Sequence, residues 1–531
     1  MVVIVAGTII ILIIKHVNFA CRMEICMRNS IKKTVCLFLM VTMVASLLTA
    51  CSGKKKEKVT LREMTKDEIT LKYLFWEDHE IVEAIMKDWN ELYPNIHIDA
   101  QEYTPSTFNE NLKAQFAAGN APDVFGLVGS IDFAIENGML LDMTGLWELD
   151  PDTQDGKILK GINDFKLGYF GTDCKWATPM KFYPHTALIN EYMVTNVANK
   201  EMPDKDWTWD EYEKFVESFQ GMKDPATGYN LYGMTAADGT SPITWYPIAS
   251  DGKCIGEFGW TESEDGDGGC FDMENWAYGV NLYYKWVNEK IVAPQDEESR
   301  NELWNGSWPQ DIGIVAVRNE AWNGFVRYFD NEEQPMLSNN AIFVPYMMPH
   351  TDTVAKEEYT YIGIMDMAGI NSNQVKYGRE AYEVLKFFNW GADGWKAKLK
   401  YYPDMVADET YSVKGAKAAD NFPICLDDDV WDAFTSIYAE WNGDKYKRAD
   451  YFKDFFQRVK AGRWTCLGSP QIPGFGTWLE EVYWGEDFGG ITGVENAVAS
   501  GEDASRFYKD LEEKGNNLNK EKLQELEAML K

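Results

Sequence analysis

The sequence predicts an α/β fold built as two lobes, and three observations predict it. At 531 residues the chain exceeds what one ordinary core can bury, so two lobes behind a leader are expected. Hydrophobic residues make up 45% and charged residues 25%, a globular balance rather than a disordered one. The first stretch beyond the leader reads strand, helix, strand, helix, strand. That order gives a parallel sheet covered by helices.

Each element has its own signal. Ile69 to Trp76 is rich in apolar and β-forming residues and reads as the first strand. Ile81, Ile85, Trp89 and Leu92 recur at a helical period, and Tyr93-Pro94 stops the helix. Ile96 to Asp99 alternates like a strand. Phe108, Leu112 and Phe116 mark a second helix that ends at Gly119, and Val124 to Val128 reads as a third strand. Ligands of such sheets bind beyond the carboxyl ends of the strands, which is where Glu77, Asp78, Gly129, Ser130 and Asp132 fall. Further along, Thr208 or Asp210 can cap a helix running to about Phe219. Trp276–Val287, Glu380–Phe388, Asp429–Trp441, Tyr451–Val459 and Lys520–Leu530 also read as helices.

The formal net charge is -33, and without the first 50 residues the chain holds 46 basic and 83 acidic residues. Such a surface repels phosphate backbones, so nucleic acid is not an expected partner. The N-terminus reads as a leader. Met27 to Lys33 is a short basic segment, Val35 to Leu48 is almost wholly apolar, and Leu48-Thr49-Ala50-Cys51 closes it. The Cys directly after small residues resembles a bacterial lipoprotein cleavage box. That makes 27–50 a signal peptide, Cys51 the lipid-bearing first mature residue, and 51–66 a tether whose lysines sit near anionic headgroups. Residues 1–26 fit that plan poorly. The simplest reading is a start placed too far upstream of Met27, and a genuine extra segment is the alternative.

Nine cysteines are present, three before the cleavage site and one at it. Of the remaining five, only Cys254 and Cys270 are close enough in sequence to suggest a disulfide in an extracellular setting. Asp265-Gly266-Asp267-Gly268-Gly269 resembles part of a calcium loop. It lacks the terminal Glu and the full ligand spacing, so no metal is expected there. No cofactor is expected either.

Several short segments, in a fixed order, resemble the family 1 extracellular solute-binding proteins of ABC importers. They include Phe116–Val124, Gly138–Asp142, Ala187–Asn190, Trp207–Glu211, Thr244–Gly252, Ala316–Trp322 and Gly363–Asn371. The resemblance spans roughly 68–514. It implies a two-lobe periplasmic-binding-protein-like fold of type II with a hinge between the lobes. Lobe 1 would hold 67–184 and 362–408, and lobe 2 would hold 185–361 and 409–531, with crossings near Tyr183, Tyr361 and Glu409. It also implies a carbohydrate ligand, permease subunits with a cytoplasmic ATPase, attachment to the outer face of the cell membrane through Cys51, and a monomer. The chain departs from the family at Glu191, at Glu320 and in the long acidic loop 252–272.

The resemblance points to Trp322, in the Ala316–Trp322 segment, and to Trp478, after a Pro-rich loop, as rings for sugar stacking. Trp245 at a strand end, Tyr183 at a crossing and Trp308 in a Gly/Ser/Pro context are further candidates. Glu77, Asp132 and Glu320 are the candidate acceptors for sugar hydroxyls, with Arg318 placed to neutralise Glu320. Each of these residues has a blander reading as core or solvated surface. A secreted glycoside hydrolase would also gather acids and aromatics in a cleft, but no local motif marks catalytic acids. No HExxH or GxSxG motif is present, which argues against a peptidase. The acidic surface leaves a peptide or polyamine ligand as an alternative to a sugar.

Overall fold

The computed structural model describes residues 60–76, 79–127, 131–162, 172, 174–237, 240–254, 256–262, 269–324, 342–407, 421–446, 449–466 and 472–530. Cys51, the leader, Glu77, Glu409 and most of the acidic loop at 263–268 lie outside the described residues.

The opening unit forms as its pattern predicts. Strand β1 (Ile69–Phe75) buries Ile69 and Leu71 and then the whole run Tyr73–Phe75, and helix α1 (His79–Leu92) buries Ile81, Val82, Ile85 and Trp89. The Trp89 indole N–H donates to the Ile96 carbonyl at 2.7 Å, tying α1 to β2 (Ile96–Glu102). Helix α2 (Pro105–Ala118) ends at Gly119, whose φ of 72° lets its N–H close back on Gln115 and Phe116 carbonyls. Strand β3 (Val124–Leu127) completes the unit, and β1 runs parallel to both β2 and β3. A short helix α3 (Asp132–Glu136) follows.

Beyond this unit the sheet is mixed. Among the described residues nine strands join in one sheet, in the order β2-β1-β3-β10-β4-β8-β5, with β9 beside β4 and β11 beside β10. The long strands β4 (Thr178–Asn190) and β10 (Thr360–Ile370) run antiparallel to each other. The reason is topological: one carries the chain out of the first set of strands and the other brings it back. Strand β4 changes partners on the way. Through Pro184 it pairs with β10, and from His185 onward with β8 (Val315–Ala321) and β9 (Phe343–Tyr346).

The fold is the two-lobed α/β architecture expected. One apolar cluster gathers Leu71, Tyr73, Ile85, Trp89, Phe125, Phe182 and Phe388. A second gathers Ile189, Trp209, Tyr212, Met234, Trp286 and Val317, and a third holds Trp260, Phe271, Trp276, Trp478 and Tyr483. Helix α4 (Trp209–Glu217) covers the second cluster. It starts in a capping box, with the Thr208 side chain accepting from the Glu211 N–H and the Glu211 carboxylate accepting from the Thr208 N–H. Strand β5 (Tyr232–Ala236) pairs parallel with β8. The segment around Trp245, expected at a strand end, is helix α5 (Pro242–Ser250), started by Ser241 with Pro242 in its first turn.

Strands β6 (Trp260–Glu262) and β7 (Gly269–Phe271) form a separate ribbon, followed by α6 (Glu274–Asn288) and α7 (Glu297–Trp304). After β10 come α8 (Gly378–Leu385), α9 (Ala392–Ala407), α10 (Asp428–Tyr446), α11 (Ala449–Ala461) and β11 (Arg463–Cys466). The C-terminal helix α12 runs from Tyr508 to Leu530, longer than the Lys520 start suggested by the pattern. Phe422, Trp431, Phe434, Phe455 and Phe456, from the segment between α9 and β11, and Trp464 of β11 pack in the first cluster.

None of the five described cysteines is in a disulfide, which removes the Cys254–Cys270 bridge. Thr261 pairs with Cys270 on one side and with Cys254 on the other. Two strand spacings, roughly 10 Å, therefore separate the cysteines, beyond the reach of a disulfide. Among the described residues no helix is long and apolar enough to cross a membrane, and no cluster of His, Cys, Asp and Glu has the makings of a metal site.

Candidate functional site

The candidate site is built where strands end or change partners. Tyr183 is the last residue of β4 but one before the partner switch and is buried against Ile364 of β10. His185 follows two residues later, fully buried, and burial pushes its imidazole down to about 3, so it is neutral. The Trp245 indole N–H donates to His185 Nδ1 at 3.0 Å. An indole only donates, so Nδ1 accepts and the ring proton sits on Nε2. That Nε2–H is buried without a partner, an open donor where the two sets of strands meet. The structure thus joins Trp245 to a histidine of β4, two residues beyond Tyr183, that no sequence signal singled out.

A second constellation lies on β8 and the segment before it. Arg318 and Glu320 sit two apart on one face of the strand, with Arg318 Nη2 2.7 Å from Glu320 Oε2 and both side chains buried. Arg318 therefore does neutralise Glu320. Arg318 Nη1 also donates to Gln295 Oε1 at 2.9 Å, and Gln295 passes a hydrogen bond on to the Ala236 carbonyl. The Gln295 carbonyl accepts from Arg300, whose guanidinium lies 3.8 Å over the Trp308 ring. Trp308 remains 38% exposed, so Glu320 and Trp308 belong to one polar chain with an indole at its outer end. Burial pushes the nearby Asp311 carboxyl up to about 6, with Arg318 pulling it down.

Trp322 and Trp478 are placed differently. Trp322 leaves the end of β8 and enters the first cluster with no exposed surface. Phe455 stacks on it at 5.4 Å and 16°, and Phe422 and Phe456 meet it edge-on. Trp478 is stacked on Phe271 at 4.5 Å and donates its N–H to the Leu511 carbonyl at 3.0 Å. Neither presents an open ring face in this structure, and Trp245 is also fully buried. Glu77 lies outside the described residues, and Asp132 opens α3 after β3.

A third feature was not legible in the sequence. Tyr73 and Phe75 at the carboxyl end of β1, Lys181 of β4, Asn389, Lys398 of α9 and Asn421 line one partly open polar cavity. Six segments supply it, counting Ile81 and Val82 of α1, so no spacing rule could have assembled it.

Comparison with known proteins follows the same lines. A family model described as bacterial extracellular solute-binding protein matches residues 76–393. An ABC substrate-binding protein from Listeria monocytogenes, solved in complex with cycloalternan, is 15% identical and covers 85% of this chain and 99% of its own, with a TM-score of 0.54. A cyclic alpha-maltosyl-1,6-maltose binding protein from Arthrobacter globiformis is 13% identical over 85% and 99% of the chains, with a TM-score of 0.56. A sugar-binding protein from Xanthomonas citri is 14% identical over 86% and 99%, with a TM-score of 0.56. At such identities these likenesses establish the fold.

Proposed function

The chain belongs to the bacterial extracellular solute-binding protein family, and from that premise we propose that it captures a sugar or oligosaccharide outside the cell and delivers it to an ABC importer. The family is one of binding proteins rather than enzymes, so the bound solute leaves chemically unchanged. The observation that carries the carbohydrate reading is the family match, joined to relatives of the same fold whose ligands are carbohydrates.

The geometry supports capture by hinge closure. Strands β4 and β10 carry the chain between the two sets of strands, and the β4 partner switch at Pro184–His185 is the natural bending point. Tyr183, the His185 Nε2–H and the Trp308–Glu320 chain are the groups proposed to meet the ligand as the lobes close. A neutral imidazole donor suits a hydroxyl acceptor, and an exposed indole suits the C–H face of a pyranose. Delivery is proposed to run through permease subunits powered by a cytoplasmic ATPase. The protein is proposed to stay at the outer face of the membrane through a lipid on Cys51, the residue that closes the basic and apolar leader.

Two experiments test this reading. A thermal-shift screen of the purified protein against mono- and oligosaccharides, peptides and polyamines should give its largest stabilisation with a carbohydrate. A larger effect from a polyamine or peptide would replace the ligand class. Mass spectrometry of the native N-terminus should find a lipid-modified Cys51, and an unmodified Cys51 would remove the anchor.

A further inference from the structure

The C-terminal helix α12 reaches from one packed body to the other. Helices α5 and α6 are each shared by two clusters: Ile243 and Trp276 pack in the third, Trp245 and Trp286 in the second. The second and third clusters therefore belong to one body, and the first cluster, which holds β1 to β3, to the other. The first half of α12 is fixed to the third cluster. Leu511 is fully buried there, and its carbonyl accepts from the Trp478 indole. The Phe271 N–H donates to Asn516 Oδ1 at 2.7 Å, and the buried Asn519 side chain donates to the Pro473 carbonyl at 3.1 Å. Gly515 is pressed on the same ribbon, where a Cβ would stand 2.5 Å from the Phe271 ring. Glycine weakens a helix interior, and here it permits that close approach.

The last turns leave that body. Leu511, Gly515, Leu518, Lys522 and Leu526 recur at intervals of three and four, so they share one face of α12. That face runs about 22 Å along the axis. It begins in the third cluster with Leu511 and Leu518 and ends with Leu526 buried in the first. Electrostatics give an independent sign of the same placement. Lys522 donates to Glu525 at 3.0 Å, and Glu525, with Glu136 of α3 acting through space, holds the ammonium above its usual range. Glu136 closes α3, the short helix after β3, and Ile131, Ala134 and Ile135 beside it are buried in the first cluster. No proline interrupts α12, so its two ends move together.

We propose that α12 is a strap across the lobes, its first half fixed to the body of the second and third clusters and Leu526 clasping the other beside α3. Opening the lobes swings the end of α12 away with the third cluster, so Leu526 must leave its seat and meet water. The clasp therefore favours the closed arrangement before any solute binds and sets how readily the lobes part. The inference rests on the hinge in the reading above and not on its ligand class.

Small-angle scattering, melting and hydrogen exchange of the purified protein without added solute test it. Leu526→Asp puts a charge in the apolar seat. It should fold, enlarge the radius of gyration relative to wild type, and speed exchange of the 522–526 amides at least about tenfold, each tenfold being about 1.4 kcal/mol of lost protection. The amides of 511–518 should keep their wild-type rates. Gln524→Asp, the same charge on an exposed position two residues away, should behave as wild type. If Leu526→Asp does not fold, Leu526→Ala is read in the same way. Fast exchange at 522–526 with a wild-type radius makes the helix end a passenger and overturns the strap, as do equal effects of Gln524→Asp. If Arg458→Ala, on α11, enlarges the radius and Leu526→Asp does not, the hinge stands and the strap falls. If Leu526→Asp enlarges the radius while no sugar stabilises the wild-type protein, the strap stands and the ligand class falls.

Discussion

Trp478 has no exposed surface, stacks on Phe271 and donates to a backbone carbonyl, so its removal acts on the core. Trp478→Ala is expected to cost roughly 3–5 kcal/mol of stability in a denaturant melt, the usual range for a large aromatic in a core. Trp322→Ala belongs in the same range, because Phe455 already holds the face that would otherwise be open. A loss below about 1 kcal/mol at either position would return that ring to the ligand. Arg318 and Glu320 behave as a unit. Arg318→Met strands a buried carboxylate and is expected to cost about 3–5 kcal/mol, whereas Arg318→Met with Glu320→Gln should recover most of it. His185 and Asp311 give the stability curve opposite slopes. The unfolded imidazole takes a proton near its ordinary value of about 6.5, while burial delays the folded one to about 3. The unfolded state then binds more protons, so stability is full above about pH 6.5 and falls as the pH drops toward 3. Asp311 is protonated in the folded state up to about 6, against about 3.9 unfolded, so its contribution is present at low pH and is lost as pH rises through 6. Melting across pH should show His185→Gln losing less than wild type below pH 6.5, and Asp311→Asn gaining on wild type above pH 6.

At the scale of elements, local signals and long-range ones part company. Thr208→Ala removes the capping box that starts α4 and should cost about 1 kcal/mol, read as a lower melting midpoint with an unchanged denaturant slope. That cap was legible because its donors and acceptors lie within four residues of each other. The same holds for the Gly119 end of α2 and for the strand–helix alternation from Ile69 to Leu127. The antiparallel course of β4 and β10 was not legible, since strand direction is set by where the chain returns and leaves no mark on a period-two pattern. Trp245 shows a local limit. Pro242 and Pro247 argue against a regular helix, yet Pro242 sits in the first turn where its missing N–H costs nothing, and the segment is helical. Of the groups proposed to meet the ligand, Tyr183, Glu320 and Trp308 are readable as candidates in the sequence because they stand in a strand or in an exposed segment. The histidine that accepts from Trp245 and the lysines of the cavity carry no such signal, because burial of a polar group is a property of the packed chain and not of its neighbours in sequence.

For the molecule as a whole the central question is motion between the lobes. Helix α11 is anchored by Phe455 and Phe456 in the first cluster, yet its charged edge reaches the segment that leads into α4. Arg458 lies 3.4 Å from Asp206, and Lys205 sits 3.9 Å from Asp454 and 4.6 Å over the Tyr451 ring. Lys356 and Arg458, with His350, surround Asp206 and hold its carboxyl below the usual range, Lys356 having the largest effect. These are partly exposed pairs, and such pairs contribute only about 0–1 kcal/mol to folding. They are well placed to bias a hinge without securing the fold. Bending at Pro184–His185 moves the partners of β8 relative to those of β3, and α11 must then slide or part along this ionic edge. Small-angle scattering of the purified protein should therefore show a smaller radius of gyration with its solute bound than without it. Arg458→Ala should melt within about 1 kcal/mol of wild type. It should nonetheless enlarge the unliganded radius and weaken ligand binding, because the open population it favours must first be closed. Superimposable scattering profiles for the free and bound wild-type protein would mean that the lobes do not close on ligand. An Arg458→Ala variant with wild-type radius and affinity would take α11 out of the hinge.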